Sequence, residues 1–390
     1  MNAERGDPFV SASPASARPR QRPGSPAPCP GPASPPRALH DPSAAAHLGL
    51  RVWRSVPEGA AVFYAEVKGY RLTAGLPCAP PSQRGALHRA FAHDCMRSGL
   101  RALHFGVFAG NSGGGERDAP ASARADDPSC WHLGDLPVFD LARWRDDAAI
   151  PAAIRAQTRR ARRQGVVVRH WATPPDAASR AALRAVRDAW MRAKPLPPLA
   201  FMTTPYLFEP WPREGVFIAE VRGRLVGFLV ASCGLFGDLL RVDALARVPG
   251  APNGTAELLV REVFRWATRR GVERATLGLA PLSRRSGAGM RGWRRVVFGG
   301  VRRAGASLYS FAGLEAFKAR FAPDAWLPLY AVAPGRAFGP RDLCAIARAF
   351  AGGSLRRFVV RALRRAGHHM AVPEIVRQLP PRMRDGVMAR

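Results

Sequence analysis

Lysine is nearly absent from this chain: Lys68, Lys194 and Lys318 are the only three in 390 residues. Acid is scarce as well. Asp+Glu total 29 against 59 Lys+Arg, a formal net charge of +30 carried almost entirely by arginine. Such an excess predicts attraction to phosphate-bearing partners, without separating nucleic acid from an anionic bilayer. The cysteines (Cys29, Cys78, Cys95, Cys130, Cys233, Cys344) include no CxxC pair. Their scatter argues against a zinc site and a disulfide framework, and suits a reducing cytoplasm. The histidines are equally dispersed, so no cluster at ligand spacing predicts a metal. Long apolar runs are missing too. The uncharged run from Leu225 to Gly237 falls short of the roughly 20 residues that a bilayer core demands. The N-terminus carries no apolar signal-type segment, so any membrane role is expected to be peripheral.

What is present is enough for two ordinary domains around real cores, with 47% hydrophobic residues. Residues 1–47, rich in Pro, Ala, Ser and Arg, bury too little apolar surface to offset ordering entropy and are expected to be a disordered tail. From Val52 the pattern turns globular. AVFYAEVKGYRLT alternates like paired strands, ALHRAFAHDCMRSG has helical spacing and a glycine stop, and LRALHFGVFA follows as a strand. The insert at Gly110–Asp127 is a loop, HLGDLPVFDLARW is a strand, and IPAAIRAQTRRARRQG is a basic helix before the strand VVVRHW.

A second unit repeats the scheme. SRAALRAVRDAWMRA is a helix, GVFIAEVRGRLVGFLVASC a hairpin turning at Arg222–Gly223, and LLRVDALARV a strand leading to PNGT. AELLVREVFRWATRRG is the next helix and VERATLGLAPL the next strand. Hairpin, helix and strand, used twice, predict two similar α/β units in tandem, over 48–172 and 173–335. The remainder, 336–390, holds basic amphipathic helices. From Ser354 onward Leu355, Phe358, Val359, Ala362 and Ala366 share one side, while Arg356, Arg357, Arg361, Arg364 and Arg365 take the other. Such a helix either lies in an anionic headgroup layer or packs on the domain with a solvated basic face.

Three pieces in order carry a more specific signal: PNGT at Pro252–Thr255, LGLAPLS at Leu277–Ser283, and LYSFAGLEAFKARFAPDAWLPLY at Leu308–Tyr330. Together they resemble the C-terminal catalytic region of the phosphatidylglycerol lysyltransferases, from about Phe63 to Ala333. The resemblance implies a mixed α/β architecture of two tandem acetyltransferase-like units. It also implies aminoacyl-tRNA as donor and phosphatidylglycerol or a related membrane lipid as acceptor. No cofactor is implied, because the tRNA ester already carries the activation. The family's multi-helix membrane half is missing from this sequence.

Acyl transfer needs two anionic substrates steered together, an oxyanion stabilised and a hydroxyl proton managed. By resemblance, Asp243 with Arg247 stands where the family has an Asp–Arg pair, although the usual arginine position is Ala246. Asp238 and Arg241 form a second D-x-x-R, out of register with PNGT. Asn253, Gly254 and Thr255 open a helix whose first N–H groups suit an anion. Pro252 removes a donor there, which argues against a coenzyme A pyrophosphate loop. Glu257, in the first helical turn, is either a carboxylate favoured by the helix dipole or an acceptor for the lipid hydroxyl's proton. Lys318 and Arg320 match the family's paired cations and are expected to contact substrate phosphate. Tyr309, Phe311, Trp326 and Tyr330 are expected to be core or tunnel wall. Arg155, Arg159 and Arg162 lie on the basic helix that resembles a docking site for the tRNA acceptor stem. In the first unit AGLPCAP (Ala74–Pro80) replaces the family's usual acidic turn. The reading that results is an aminoacyltransferase at the inner face of the cell membrane. The alternatives are an acyl-CoA-dependent acyltransferase and a non-catalytic module that binds RNA or membrane.

Overall fold

The computed structural model describes residues 49–55, 60–108, 127–194, 211–234, 237–283 and 311–369, with isolated positions in 197–208 and 295–300. The expected tail at 1–47, most of the insert at 110–127, Tyr309 and residues 370–390 lie outside the described residues.

The strands of the first half are β1 (Arg51–Arg54), β2 (Ala61–Val67), β3 (Tyr70–Thr73), β4 (Arg101–Phe108) and β5 (Cys130–Asp140), with helix α1 (Pro81–Arg97) between β3 and β4. Helix α2 (Ala152–Arg163), β6 (Val166–Trp171) and α3 (Ala177–Arg192) lead to β7 (Val216–Val221), β8 (Arg224–Gly234) and β9 (Gly237–Arg247). Helix α4 (Thr255–Arg269), β10 (Arg274–Thr276), β11 (Ala280–Pro281), α5 (Phe311–Ala319), β12 (Ala325–Val332), α6 (Pro340–Phe350) and α7 (Leu355–His369) complete the chain. The β7–β8 hairpin turns at Arg222 and Gly223, both at positive φ (49° and 74°). That is the conformation a tight two-residue hairpin needs, and the Arg-Gly pair marks it in the sequence.

One twelve-stranded mixed sheet runs in the order β1-β2-β3-β4-β12-β5-β10-β9-β8-β7-β6, with β11 paired to β5 off this path. Each half contains a parallel pair joined by a helix: β3–α1–β4 and β9–α4–β10. These crossovers are the repeated unit that the sequence pattern announces. β6 pairs β7 antiparallel over Val166↔Val221 to Trp171↔Val216, and α2 packs against α4, so both belong with the second half. The late strand β12 inserts between β4 and β5 and joins the halves into one sheet.

Helices cover both faces. Helix α1 packs Leu87, Phe91 and Cys95 onto Val62 and Tyr64 of β2. In the second half, α2 and α4 cover one face through Ile154, Ala161, Leu258, Val263 and Phe264, on Leu240 and Val242 of β9. The other face takes α3 through Leu183 and Val186, on Val216, Ile218, Ala244 and Ala246. Residues 240 and 242 thus face α4, and 244 and 246 face α3. Strict period-2 alternation would put all four on one side, so β9 changes phase at Asp243.

Candidate active site

The parallel contact between β9 and β10 is short, covering Ala275↔Leu240 and Thr276↔Arg241. Beyond it β9 continues beside β8 to Arg247, while Leu277–Leu279 leave β9 and Ala280–Pro281 resume the pairing with β5 that β10 began. VERATLGLAPL, expected as one strand, is therefore two short strands with a break at Leu277–Leu279. Gly278 sits in that break at φ +77°, and a Cβ there would lie 3.6 Å from the Val242 carbonyl. Only just past this contact does the gap between the strands open. On its β9 side the register with β8 steps from Val230↔Ala244 to Ala231↔Val242, leaving Asp243 unopposed in a bulge. Bulges re-aim side chains, and this one explains the phase change.

The Asp243 side chain is wholly shielded from water and forms an ion pair with Nη2 of Arg241. The Asp–Arg pair expected with Arg247 is thus made by a residue two positions earlier. The bulge decides it: Asp243, unopposed by β8, turns onto Arg241. Arg247 instead is exposed at the strand end. After burial, its charge is the second cause lowering the Lys194 ammonium. A further carboxylate, Glu214, joins Asp243. Burial first, then the Asp243 charge, hold its carboxyl above the usual range, opposed by Arg213 and by the Cys233 N–H. The side chain of Asp238 lies outside the described residues.

Across the gap, the start of α4 is clamped by α2. Gly254 adopts φ +90°, and a Cβ would stand 2.1 Å from the Gln157 carbonyl oxygen, so only glycine fits. Arg261 holds α2 in place by donating to Thr158 Oγ1 at 3.0 Å and to Asp147 Oδ2 at 2.6 Å. The turn is less open than its sequence suggests. Thr255 gives both its N–H (3.2 Å) and its hydroxyl (2.7 Å) to the Pro252 carbonyl, while Asn253 is exposed. Thr255 therefore closes the turn instead of offering its N–H to an anion.

Glu257 and Arg320 do come together. Arg320 Nη2 lies 3.4 Å from Glu257 Oε1, with the arginine side chain half exposed and the carboxylate almost buried. Two residues earlier, on α5, Lys318 is buried and donates from Nζ to the carbonyls of Gly278 and Leu279, both at 2.7 Å. Burial pushes its ammonium down to about 7. The two carbonyls that anchor it belong to the departing segment, so Lys318 ties α5 to the break that follows β10. One N–H of the ammonium remains beyond those two bonds.

On α2, Arg155 is half-buried and Arg159 exposed, while Arg162 reaches Glu262 on α4 at 2.7 Å. Tyr330 is buried and stacks on His132 with centroids 4.9 Å apart; Phe311 and Trp326 are half-buried. Sequence reasoning passed over Glu214, Arg241's role and a buried anchor behind the gap. There, Ser283 donates its hydroxyl to Asp135 Oδ2, and His132 Nε2 lies 3.3 Å from Asp135 Oδ1. Gly134, at φ +155°, lets Ala280 approach, since a Cβ would sit 2.2 Å from its carbonyl. Among the described residues no group of three His, Cys, Asp or Glu is placed to hold a metal ion. No helix there is long and apolar enough to cross a membrane.

A large mixed sheet flanked by helices, with two parallel crossovers of the same build, defines a class: an α/β protein of the mixed-sheet kind. The particular family follows from comparison. The family described as phosphatidylglycerol lysyltransferase, C-terminal, matches residues 45–333, and the chain belongs to it. A phosphatidylglycerol lysyltransferase of Bacillus subtilis (strain 168) is 23% identical over 292 residues. That match covers 72% of this chain but 32% of the relative, so the chain spans about a third of that protein's length. Two solved structures share the fold. L-PGS from Bacillus licheniformis has a TM-score of 0.62 at 20% identity, covering 83% of this chain and 98% of that one. A C-terminal domain described as that of a lysylphosphatidylglycerol synthetase from Agrobacterium fabrum gives 0.63 at 20%, covering 81% and 95%.

Proposed function

We propose that this protein transfers an amino acid from aminoacyl-tRNA to a hydroxyl of phosphatidylglycerol or a related lipid at the inner face of the cell membrane. One observation carries the reading: Lys318 is buried with its Nζ on the Gly278 and Leu279 carbonyls, where the chain leaves β9, and Arg320, two residues on, pairs with Glu257 at the start of α4. The lipid hydroxyl oxygen attacks the ester carbonyl, and a tetrahedral oxyanion forms. It collapses with loss of the tRNA ribose oxygen, which takes up a proton. The remaining N–H of Lys318 is a donor for the oxyanion, in a site dry enough to make it count. Glu257 is the carboxylate for the incoming hydroxyl's proton, and Arg320 holds it while meeting phosphate at the exposed rim. Asp243 and Arg241, with Glu214, form the polar wall against the donor's aminoacyl end. Arg247 and the Asn253–Thr255 turn stand at the rim, and Arg155, Arg159 and Arg162 extend the basic surface toward the acceptor stem.

Coenzyme A as donor is disfavoured by the same turn. Pro252 lacks an N–H, the Thr255 N–H is spent on the Pro252 carbonyl, and Gln157 backs Gly254. The test is incubation of purified protein with labelled aminoacyl-tRNAs and phosphatidylglycerol vesicles, followed by organic extraction. Label in the lipid phase, lost in Lys318→Met, is expected. Label transferred from acetyl-CoA but not from tRNA would replace this reading with the coenzyme A one. Binding of RNA or vesicles without any transfer would leave a non-catalytic module.

A further inference from the structure

Beyond residue 333, where the family match ends, the chain adds α6 and α7. Helix α6 is accounted for by packing: Ala345, Ile346 and Ala349 are buried in the core of the first half. Helix α7 is not. Leu355 and Phe358 are half-buried and Ala362 is buried, so this stripe turns toward the protein. On the remaining surface Val359 and Val360 stand 49% and 47% exposed, two of the few large apolar side chains left to water. Arg356, Arg357, Arg361 and Arg364 are exposed around them, and no Asp or Glu occurs from Leu355 to His369.

At 100° per residue, positions 359, 356 and 360 follow one another around the helix, and 364, 357 and 361 come next. An apolar strip with one arginine in it therefore borders a guanidinium sector. A merely solvated helix face has no need of two adjacent valines, and a face that grips nucleic acid has no apolar layer to put them in. An anionic bilayer offers both environments: phosphates at the headgroups and acyl chains a few ångströms below.

We propose that α7 is the surface by which this protein docks on an anionic lipid bilayer, with Val359 and Val360 entering the headgroup–acyl boundary and the four arginines among the phosphates. The proposal deepens the transferase reading, on which it rests for the identity of the acceptor lipid, and brings the reaction to the surface that holds it. The docking itself is measurable without any transfer.

The experiment is co-sedimentation of the full chain with phosphatidylcholine vesicles, with and without phosphatidylglycerol. Each arginine near an anionic surface contributes about a fivefold change in partitioning. Replacing Arg356, Arg357, Arg361 and Arg364 together by glutamine is expected to weaken binding at least a hundredfold, as order of magnitude. Replacement of the four by lysine should restore most of it. V359S with V360S is expected to cost about tenfold, even on vesicles of unchanged charge. Binding to phosphatidylcholine alone should be weak for every variant. Unchanged sedimentation in both the glutamine and serine variants would overturn the proposal. So would loss of tRNA binding with vesicle binding intact, which would make the face an RNA surface. Transfer to short-chain, micellar lipid separates the two ideas. If it persists while vesicle docking is absent in the parent chain, docking by α7 is wrong and the transferase reading stands. If docking behaves as expected and no aminoacyl lipid ever forms, the reverse holds.

Discussion

The two parallel crossovers, β3–α1–β4 and β9–α4–β10, are built alike and end differently. In the first, β4 is sealed by β12 along Leu329↔Phe108 to Val332↔His104. The space under α1 is filled with Phe91, Leu87, Cys95 and the stacked rings of His88 and His104, whose centroids are 4.2 Å apart. Its buried titratable side chains are held neutral: burial first drives His88 well below the ordinary histidine range and His104 down to about 4. In the second, β10 leaves β9 after two residue pairs, and the buried side chains beside the opening are Arg241, Asp243, Glu257 and Lys318. Burying charge costs several kcal/mol per ion unless partners are supplied. A crossover that needed only to pack would choose the first solution. The second gathers buried charge instead, and that difference is what the proposed site rests on.

The contrast can be tested by variants on either side, the largest expected effect first. Lys318→Met keeps an apolar stem in the buried slot but removes the only cation on the Gly278 and Leu279 carbonyls. Initial rates of aminoacyl-lipid formation are expected to fall about 10²–10³-fold, with a folded protein by circular dichroism. Rates within threefold of the parent would break the assignment of the open crossover as the reacting one.

Gly254→Ala places a Cβ against the Gln157 carbonyl in a left-handed turn. The expected loss is about 3 kcal/mol of unfolding free energy, measured by urea denaturation, because neither α2 nor the α4 turn can give way. An equivalent change at Gly99, past the end of α1, where a Cβ would meet nothing within 4 Å, should cost about 1–2 kcal/mol. Equal costs would remove the claim that α2 clamps the second crossover specially.

The closed crossover has its own signature in pH. His88 and His104 titrate lower folded than unfolded, so the unfolded chain binds more protons below pH 6.5 and stability must fall as pH drops. The fall runs from about 6.5 toward the folded value of about 4. For His104 alone it amounts to about 3 kcal/mol over that window. Urea midpoints at pH 7 and pH 4.5 measure it, and His104→Phe should flatten the slope. The smallest effect belongs to the surface. Arg162→Ala breaks a half-exposed pair with Glu262 and should change stability by under about 1 kcal/mol. Its mark would instead be a reduction of about 1 in the salt slope of tRNA binding, read by filter binding.

How much of this was visible beforehand depended on whether a feature is local. The hairpin at Arg222–Gly223, the helix ends before Gly99, Gly165 and Gly271, and the strand VVVRHW follow from neighbouring residues and lie where their patterns put them. Lys318 stood out because a chain that otherwise uses arginine kept a lysine there. The partner of Asp243 was harder to read. The family resemblance pointed to Arg247, and the bulge that turns Asp243 toward Arg241 exists only in the pairing of β9 with β8. Glu214 had no motif at all; it feels the Asp243 charge from the turn that precedes β7. In α7 the sequence stripe was visible, but which part of it faces protein and which faces water was not.

From its residues alone this chain declared its repeated α/β units, its phosphate-seeking charge and the three motifs of its family, because propensity, periodicity and net charge act over short distances or over the whole molecule. The opening between β9 and β10, the boundary that gives β6 to the second half, the Glu257–Arg320 pair and the burial that brings Lys318 to about 7 were decided by tertiary structure. Each depends on segments far apart in sequence being forced to share one dry space, where hydrogen-bond register and desolvation, rather than residue identity, set the outcome.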